Sequence, residues 1–274
     1  MMLKKFVLGG LTAVVLAACG GSGSSGSAAS APQQGQNTPL IERINNKGTI
    51  TVGTEGTYAP FTYHDNTGKL TGYDVEVTRA VADKLGVKVE FKETNWDSMM
   101  AGLKAGRFDV VANQVGLTSP ERQATFDKSE PYSWSGAVLV ARKDSKIKDV
   151  KEIAGVKAAQ SLASNYGEKA KEMKADIVPV DGLAQSLMLI EQKRAEVTLN
   201  DELAVLDYLK KNPKADVKIV WSAPAAEKVG SGLIVNKGND EAVAKFSAAM
   251  KELQADGTLK KLGEQFFGKD ISVK

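Results

Sequence analysis

The feature that most constrains the fold of this chain is an alternation between short apolar runs and amphipathic stretches. Apolar residues follow helical spacing over residues 73–85, where Gly86 ends the pattern, and over 96–105, where Gly106 ends it. Short apolar runs flank these stretches at 49–53, 87–91 and 108–112. This β-α-β-α-β order predicts a mostly parallel sheet with helices on its faces.

The same pattern starts again in the second half of the chain, which indicates a second α/β unit. Predicted strands lie at 136–141, 156–160, 177–180, 197–199, 217–220 and 232–236. Predicted helices lie at 148–154, 165–174, 183–194, 201–210, 241–255 and 259–267. Ligands of open α/β sheets bind outside the carboxyl ends of the strands. Two facing sheets therefore predict two lobes that close on a ligand in the cleft between them.

The beginning of the chain has the order of residues that is typical of an export signal. Lys4 and Lys5 precede an apolar stretch at 6–16, which is too short for a permanent membrane span. The tetrapeptide Leu-Ala-Ala-Cys that ends at Cys19 resembles a bacterial lipobox. We therefore expect a signal peptide at 1–18, followed at 19–39 by a lipidated Cys19 and a flexible tether rich in Gly, Ser, Ala, Gln and Pro.

The alternative for Cys19 is an ordinary buried or free cysteine. Because it is the only cysteine in the chain, an intrachain disulfide and a thiol redox pair are excluded. The lipobox interpretation places the protein on the periplasmic face of the cell envelope and leaves open whether the inner or the outer membrane holds the anchor.

Composition and charge exclude several classes of function. The formal net charge is only +3, and positive and negative residues alternate without forming a basic stripe, so nucleic acid is not an expected partner. The single histidine, His64, has no second His or Cys at metal-ligand spacing, and we expect no metal and no cofactor. The chain also carries no phosphate-binding loop and no nucleophile–base pair.

Several segments resemble the family 3 periplasmic amino-acid-binding proteins, and within them the cystine-binding branch. The matching segments are GTEGTYAPF at 53–61, GKLTGYDVE at 68–76, NQV at 113–115, PER at 120–122 and DGTL at 256–259. The resemblance implies the type II periplasmic-binding-protein fold. It places lobe 1 at 40–139 plus 233–274, lobe 2 at 140–232, and hinge strands near 139–142 and 231–234.

An amino acid is a zwitterion, so its site needs an anion-binding group, a cation-binding group and a slot for the side chain. The family pattern implies that Arg122 holds the ligand α-carboxylate, and a guanidinium can do so through two parallel hydrogen bonds. The preceding Ser119 and Pro120 predict the N-cap and first residue of a short helix. On the second lobe, the turn at Ser164, Asn165 and Tyr166 implies a further anion site at a helix start.

The resemblance also implies the remaining contacts of the ligand. Asp201 would accept from the α-ammonium, although capping of the following helix is an alternative role and Asn200 is a competing cap. Tyr58 and Trp96 would flank the side chain, and Glu55 would meet a polar group at its far end. This chain has one residue more than the family pattern between Gln114 and Arg122. The extra residue leaves open which of Gly116, Leu117 and Thr118 supplies the backbone N–H and hydroxyl contacts. Main-chain contacts are expected from Gln114 and Gly116, and Asn113 of the same motif is a further expected ligand-binding residue.

The resulting expectation is a monomeric amino-acid-binding lipoprotein that works with ABC permease subunits and is not an enzyme. The resemblance points to L-cystine first and to L-cysteine second, with other polar amino acids such as glutamine or histidine as alternatives. Two other classes remain open at this point: a sensor or adhesion lipoprotein with the same site, and a dehydratase-like enzyme on the same fold.

Overall fold

A computed structural model describes residues 38–274, so the predicted signal peptide, Cys19 and most of the predicted tether lie outside the described residues. The strands are β1 (Thr49–Thr54), β2 (Thr57–Tyr58), β3 (Thr62–His64), β4 (Leu70–Thr71), β5 (Lys88–Glu93), β6 (Val110–Val111), β7 (Phe126–Lys128), β8 (Ser133–Ser135), β9 (Ala137–Arg142), β10 (Lys157–Gln160), β11 (Asp176–Pro179), β12 (Val197–Asp201), β13 (Val217–Ser222), β14 (Val229–Ser231) and β15 (Ile234–Asn236). The helices are α1 (Leu40–Lys47), α2 (Tyr73–Leu85), α3 (Trp96–Lys104), α4 (Pro120–Thr125), α5 (Asn165–Glu172), α6 (Leu183–Glu191), α7 (Glu202–Lys211), α8 (Asp240–Ala255) and α9 (Thr258–Phe267). Within residues 38–274 no helix is long and apolar enough to cross a bilayer.

Two five-stranded sheets define two lobes. The sheet of the first lobe has the order β5-β1-β6-β15-β7, and that of the second lobe has the order β11-β10-β12-β9-β13. In each sheet two pairings are parallel and two are antiparallel, so the sheets are mixed rather than mostly parallel. The antiparallel pairings involve β9 and β15, the first strands after each crossing between the lobes. Because these strands enter directly from the hinge, they need no crossover helix.

A two-stranded antiparallel ribbon of β8 and β14 connects the lobes. The chain leaves the first sheet after β7, passes through β8 into β9, and returns through β14 to β15. The crossing into the second lobe thus lies earlier than the sequence predicts, because all of β9, including residues 137–139, pairs with β12 and β13. The apolar run of β9 resembles a crossing strand in the sequence, whereas the true crossing, Ser-Trp-Ser in β8, is short and polar.

Close packing around Phe108 fixes the strands that carry the site in the first lobe. A Cβ on Gly53 of β1 would lie 2.6 Å from the Phe108 ring, and one on Gly102 of α3 would lie 2.7 Å from it. Both positions therefore require glycine, since interiors packed this tightly have no room for an added methyl group. The ring holds α3 against β1, and the end of β1 leads directly into Glu55.

The carboxyl ends of the parallel strands face the cleft, as the sequence pattern predicts. In the first lobe β1 ends before Glu55, and β6 ends two residues before Asn113. In the second lobe β10 ends at Gln160 and β12 ends at Asp201. The topology therefore brings polar residues from four strand ends to one region between the lobes.

Candidate ligand-binding site

A cavity between the lobes collects most of the residues that the sequence singles out. It encloses about 510 Å³ of space free of protein atoms, including its open mouth. Nine of the eleven predicted residues line it: Glu55, Tyr58, Trp96, Asn113, Gln114, Ser164, Asn165, Tyr166 and Asp201. Gly116 and Arg122 do not line this cavity. Six further lining residues were not predicted as ligand contacts: Gln160, Ser161, Gly182, Leu183, Ser186 and Asn200.

Asp201 lies at the end of β12, is 4 % exposed, and uses its two carboxylate oxygens differently. Its Oδ1 caps α7 by accepting from the N–H groups of Leu203 at 2.8 Å and Ala204 at 3.3 Å. Its Oδ2 accepts from the Tyr166 hydroxyl at 3.4 Å. Capping and ligand binding are therefore compatible roles for Asp201, because the cap occupies only one oxygen.

Burial determines the charge behaviour of Asp201. Desolvation raises its pKa from an ordinary value of 3.8 to about 6, against the lowering effect of the two capping N–H groups. Asn200 is not the cap. Its side-chain oxygen accepts from the Tyr58 hydroxyl at 2.8 Å, which joins the two lobes across the cleft.

Glu55 stands at the opposite side of the cavity, directly after β1. Its Oε2 accepts from Asn113 Nδ2 at 2.6 Å, and its own N–H donates to Asn113 Oδ1 at 2.8 Å. A Cβ placed on Gly182 of the second lobe would lie 3.9 Å from Glu55 Oε1, so this oxygen faces across the cleft. Burial, together with the nearby charges of Asp181 and Asp97, raises the pKa of Glu55 to about 7 against the lowering effect of the bond from Asn113.

Arg122 has the local structure that the sequence predicts, but its guanidinium is already engaged. Ser119 caps α4 and Pro120 is the first helical residue. Arg122 is 6 % exposed, and its Nη1 donates to the Gly116 carbonyl of the first lobe at 3.0 Å. Its Nη2 donates to the Ala163 carbonyl of the second lobe. Burial lowers its pKa, and the Glu168 carboxylate, 3.9 Å away, counteracts this.

The second-lobe turn has the predicted form of a helix start. Ser164 Oγ accepts from the Gly167 N–H at 2.9 Å and donates to the Ser161 carbonyl at 2.9 Å, so its hydroxyl is committed to the cap. A Cβ on Gly167 would lie 2.4 Å from that carbonyl, which explains the glycine in the first turn of α5. The free N–H groups of a helix start remain the part of this turn that can bind an anion.

The two aromatic residues form walls of the cavity. Trp96, the first residue of α3, is 8 % exposed, and its buried Nε1 has no hydrogen-bond partner in the described part of the chain. The Tyr58 ring lies 5.5 Å from the Phe61 ring, centroid to centroid. Such faces suit apolar or sulfur-containing ligand groups.

A buried carboxylate behind the cavity was missed by the sequence reasoning. Asp74 of α2 is fully buried and accepts from the backbone N–H of Gln114 at 2.8 Å and from its Nε2 at 2.6 Å. Gln114 has a φ of 53°, a conformation that is uncommon for a residue with a side chain. Burial raises the pKa of Asp74 to about 7. An acidic residue inside the apolar face of a predicted helix was the available signal.

Hydrogen bonds across the cleft show that the lobes are closed. Besides the Tyr58–Asn200 and Arg122–Ala163 bonds, the Ala163 N–H donates to Asp97 Oδ1 at 3.0 Å. No group of three or more His, Cys, Asp or Glu side chains is arranged to hold a metal ion among residues 38–274. A fold of two α/β lobes on a hinge, with a polar and aromatic cavity between them, defines the class of two-lobed binding proteins.

Comparison with known proteins identifies the family. Residues 50–269 match the model of the bacterial extracellular solute-binding proteins, family 3, and this chain belongs to that family. It is 50% identical over 234 residues to a probable amino-acid ABC transporter-binding protein of Haemophilus influenzae, covering 85% of this chain and 90% of the relative. It is 47% identical over 259 residues to the L-cystine-binding protein TcyA of Bacillus subtilis, covering 94% of each.

A solved structure gives a further comparison. The L-cystine solute receptor of Neisseria gonorrhoeae, in its unliganded open conformation, is 86% identical. The match covers 86% of this chain and 100% of that one, with a TM-score of 0.59. This score is modest for chains so alike in sequence. It accords with a different arrangement of the lobes, since the present structure is closed by hydrogen bonds across the cleft.

Proposed function

We propose that this protein binds L-cystine in the cavity between its lobes and delivers it to the permease subunits of an ABC importer. The observation that carries the proposal is that Glu55 and Asp201, buried carboxylates from opposite lobes, line one cavity with aromatic walls. The 86% identity to a protein described as an L-cystine receptor supports the choice of ligand.

The chemistry of cystine fits this arrangement of charges. Cystine has an α-ammonium and an α-carboxylate at each end, joined through a weakly polar disulfide. Asp201 Oδ2 accepts from the ammonium at one end, and Glu55 accepts from the second ammonium at the other. Tyr58 and Trp96 flank the sulfur atoms between the two ends. Each ionic contact is strong because water is largely excluded from the closed cleft.

The ligand α-carboxylate at the end of cystine that Asp201 holds binds between Arg122 and the beginning of α5. A guanidinium has five N–H donors, and the carbonyls of Gly116 and Ala163 occupy two of its nitrogens through one bond each. The free N–H groups at Asn165 and Tyr166 face the cavity, whereas Arg122 does not line it in this closed arrangement, so the proposal requires the guanidinium to turn toward the ligand carboxylate. In this proposal Gly116 contributes through the main chain, and Asn113 and Gln114 shape the first-lobe wall.

Isothermal titration calorimetry of the purified protein tests the ligand. Cystine, cysteine under reducing conditions, glutamine, histidine and arginine are each titrated at pH 8. We expect cystine to bind most tightly and to be recovered unchanged, because the protein is a binder and not an enzyme. Binding of glutamine or histidine alone contradicts the cystine assignment, and turnover of any ligand contradicts the binding role.

Transport and anchoring need separate tests. We expect a strain that lacks this protein but keeps the permease to lose cystine uptake. Normal uptake in that strain favours the sensor or adhesion role instead.

We further propose that Cys19 is lipidated after cleavage at residue 18 and that the protein is a monomer. Labelling with a radioactive fatty acid should mark the wild-type chain but not Cys19→Ala, and light scattering should give the mass of one chain.

A further inference from the structure

Residues 113–116 of the first lobe connect two of the charged groups that the proposed function assigns to the ligand. At one end, Asn113 is fully buried and holds Glu55 at two points. Its Nδ2 donates to Glu55 Oε2 at 2.6 Å, and its Oδ1 accepts from the Glu55 N–H at 2.8 Å. At the other end, the Gly116 carbonyl accepts from Arg122 Nη1 at 3.0 Å. The shape of this segment therefore affects where Glu55 stands relative to Arg122.

The backbone of Gln114, in the middle of the segment, has an unfavourable conformation. Its φ is 53°, in the left-handed region, which costs a residue with a side chain about 1–2 kcal/mol. Strand β6 ends at Val111, so this turn lies outside the sheet. Such a conformation persists only where the surrounding structure supports it. Because Gln114 lines the cavity, whatever supports its turn also shapes the site.

Asp74 of α2 supports this turn through two hydrogen bonds. Its carboxylate is fully buried, and its Oδ2 accepts from the Gln114 backbone N–H at 2.8 Å. Its Oδ1 accepts from Gln114 Nε2 at 2.6 Å, and the oxygen of the same amide accepts from Ser133 Oγ at 2.9 Å. A hydrogen bond to a charged group contributes about 1.5–3 kcal/mol, so the two bonds can offset the cost of the left-handed backbone.

The beginning of α2 fixes Asp74 in its own place. Gly72 precedes the helix with a φ of 123°, and a Cβ there would lie 2.3 Å from the Phe61 carbonyl oxygen. Only glycine allows so close an approach. The Asp74 N–H donates to the same carbonyl at 3.0 Å. The carboxylate is therefore held by a tightly packed helix start, where the helix dipole favours a negative charge.

We propose that Asp74 is a positioning residue, which holds the left-handed turn at Gln114 and thereby sets Glu55 and Arg122 at the separation that a bound amino acid requires. Asp74 does not line the cavity, so it acts through residues 113–116 and not by touching the ligand. This inference rests on the proposed function, because it requires an amino acid bound between the lobes. The alternative is a purely structural role, in which loss of Asp74 lowers the stability of the fold but leaves the affinity of the folded protein unchanged.

Exchanging the chemical groups of Asp74 and Gln114 tests this pair directly. Asp74→Asn keeps the shape but has one oxygen and one NH₂ group, so it accepts from only one of the two Gln114 donors and turns a donor toward the other. Gln114→Glu alone brings two carboxylates face to face. The double variant restores all three hydrogen bonds at the original net charge. The new amide accepts from the backbone N–H and donates to the new carboxylate, and Ser133 donates to the second oxygen of that carboxylate.

Affinity is measured by calorimetry at pH 8 on the full-length chain purified in detergent, below the Tm of each variant, with cystine tried first and the other amino acids after it. We expect Asp74→Asn and Gln114→Glu each to lose about 10- to 150-fold, as for a buried hydrogen bond to a charged group. The double variant should return to within about threefold of wild type, because the two changes compensate each other. The matched control is Glu76→Gln in the same first turn of α2, where Glu76 contacts Thr71 and Arg79, and it should bind within twofold of wild type.

The outcomes distinguish this inference from the proposed function. If the wild type binds no amino acid, both are overturned. If it binds, three results overturn only the positioning role: Asp74→Asn within threefold of wild type, a double variant that does not return to within threefold, or a Glu76→Gln control that loses as much as Asp74→Asn. Should Asp74→Asn fail to fold, the double variant decides. Affinity within threefold of wild type supports the role, and weaker binding or failure to fold overturns it.

Discussion

Replacing Asp201 by Asn separates the binding role of its carboxylate from its structural role. Asparagine is as good an N-cap as aspartate, so its Oδ1 can still accept from Leu203 and Ala204. The second oxygen becomes an NH₂ group, which cannot accept from a ligand ammonium. Since the site is 4 % exposed, water cannot replace the lost contact. We expect affinity to fall by about 2–5 kcal/mol, roughly 30- to 5000-fold.

The same substitution should stabilise the unliganded protein. Burial raises the Asp201 pKa from 3.8 to about 6 in the folded state, a difference of about two units or about 3 kcal/mol. A raised pKa means that the folded state disfavours the charge, so the stability present below pH 3.8 is lost as pH rises to 6 and stays lost above it. Asn carries no charge, and its unliganded Tm at pH 8 should exceed the wild-type value by on the order of 5 to 10 °C.

Two measurements at pH 8 check this pair of opposite effects: calorimetric titration for affinity and thermal unfolding for stability. Glu202→Gln is the matched control, because it removes the adjacent carboxylate from the same helix turn without touching the cavity. The control should bind within twofold of wild type. An Asp201→Asn protein that binds within tenfold of wild type, or that is less stable than wild type without ligand, refutes the reasoning.

Three further predictions follow from the contacts of the cleft and the core. Arg122→Ala should weaken ligand binding by about 2–5 kcal/mol in calorimetry, because it leaves the ligand α-carboxylate without its cationic partner. A loss of affinity under tenfold removes Arg122 from the site. Affinity should fall at least about tenfold between pH 8 and pH 5, because Asp201 and Glu55, with pKa values of about 6 and 7, lose their charge; a flat profile contradicts their role. Gly53→Ala should cost about 1–3 kcal/mol in denaturant unfolding through its contact with Phe108, whereas Gly136→Ala, whose Cβ meets nothing closer than 4.0 Å, should cost less; equal losses contradict the packing argument.

The closed structure explains why the prediction for Arg122 differs in kind from that for Asp201. The Arg122 guanidinium donates to one carbonyl of each lobe, so Arg122 contributes to closure as well as to ligand binding. Arg122→Lys keeps the charge but loses the fork of donors that reaches both carbonyls. We expect it to bind more weakly than wild type, and an unchanged affinity would show that the charge alone matters.

Much of the site was predictable because strand ends are local features. Glu55 and Asp201 each stand at or just after the end of an apolar run, and the cap and proline that open α4 are visible in the sequence. The missed residues have a different origin. Gly182 and Ser186 enter the cavity only because α6 begins opposite Glu55, and that relation depends on how the second lobe faces the first.

The sequence by itself determined the alternation of strands and helices, the division into two α/β units, and the chemical types of the groups that a zwitterion needs. These depend on periodicity and on short motifs, which act within a few residues. Only the tertiary structure decided that the crossing strand is β8 rather than β9, that Asp201 caps with one oxygen and keeps the other for the cleft, and that Arg122 joins the lobes. These depend on burial and on contacts between distant segments. Strand pairing, the desolvation of a carboxyl group and the acceptors of a guanidinium are all set only when the lobes pack.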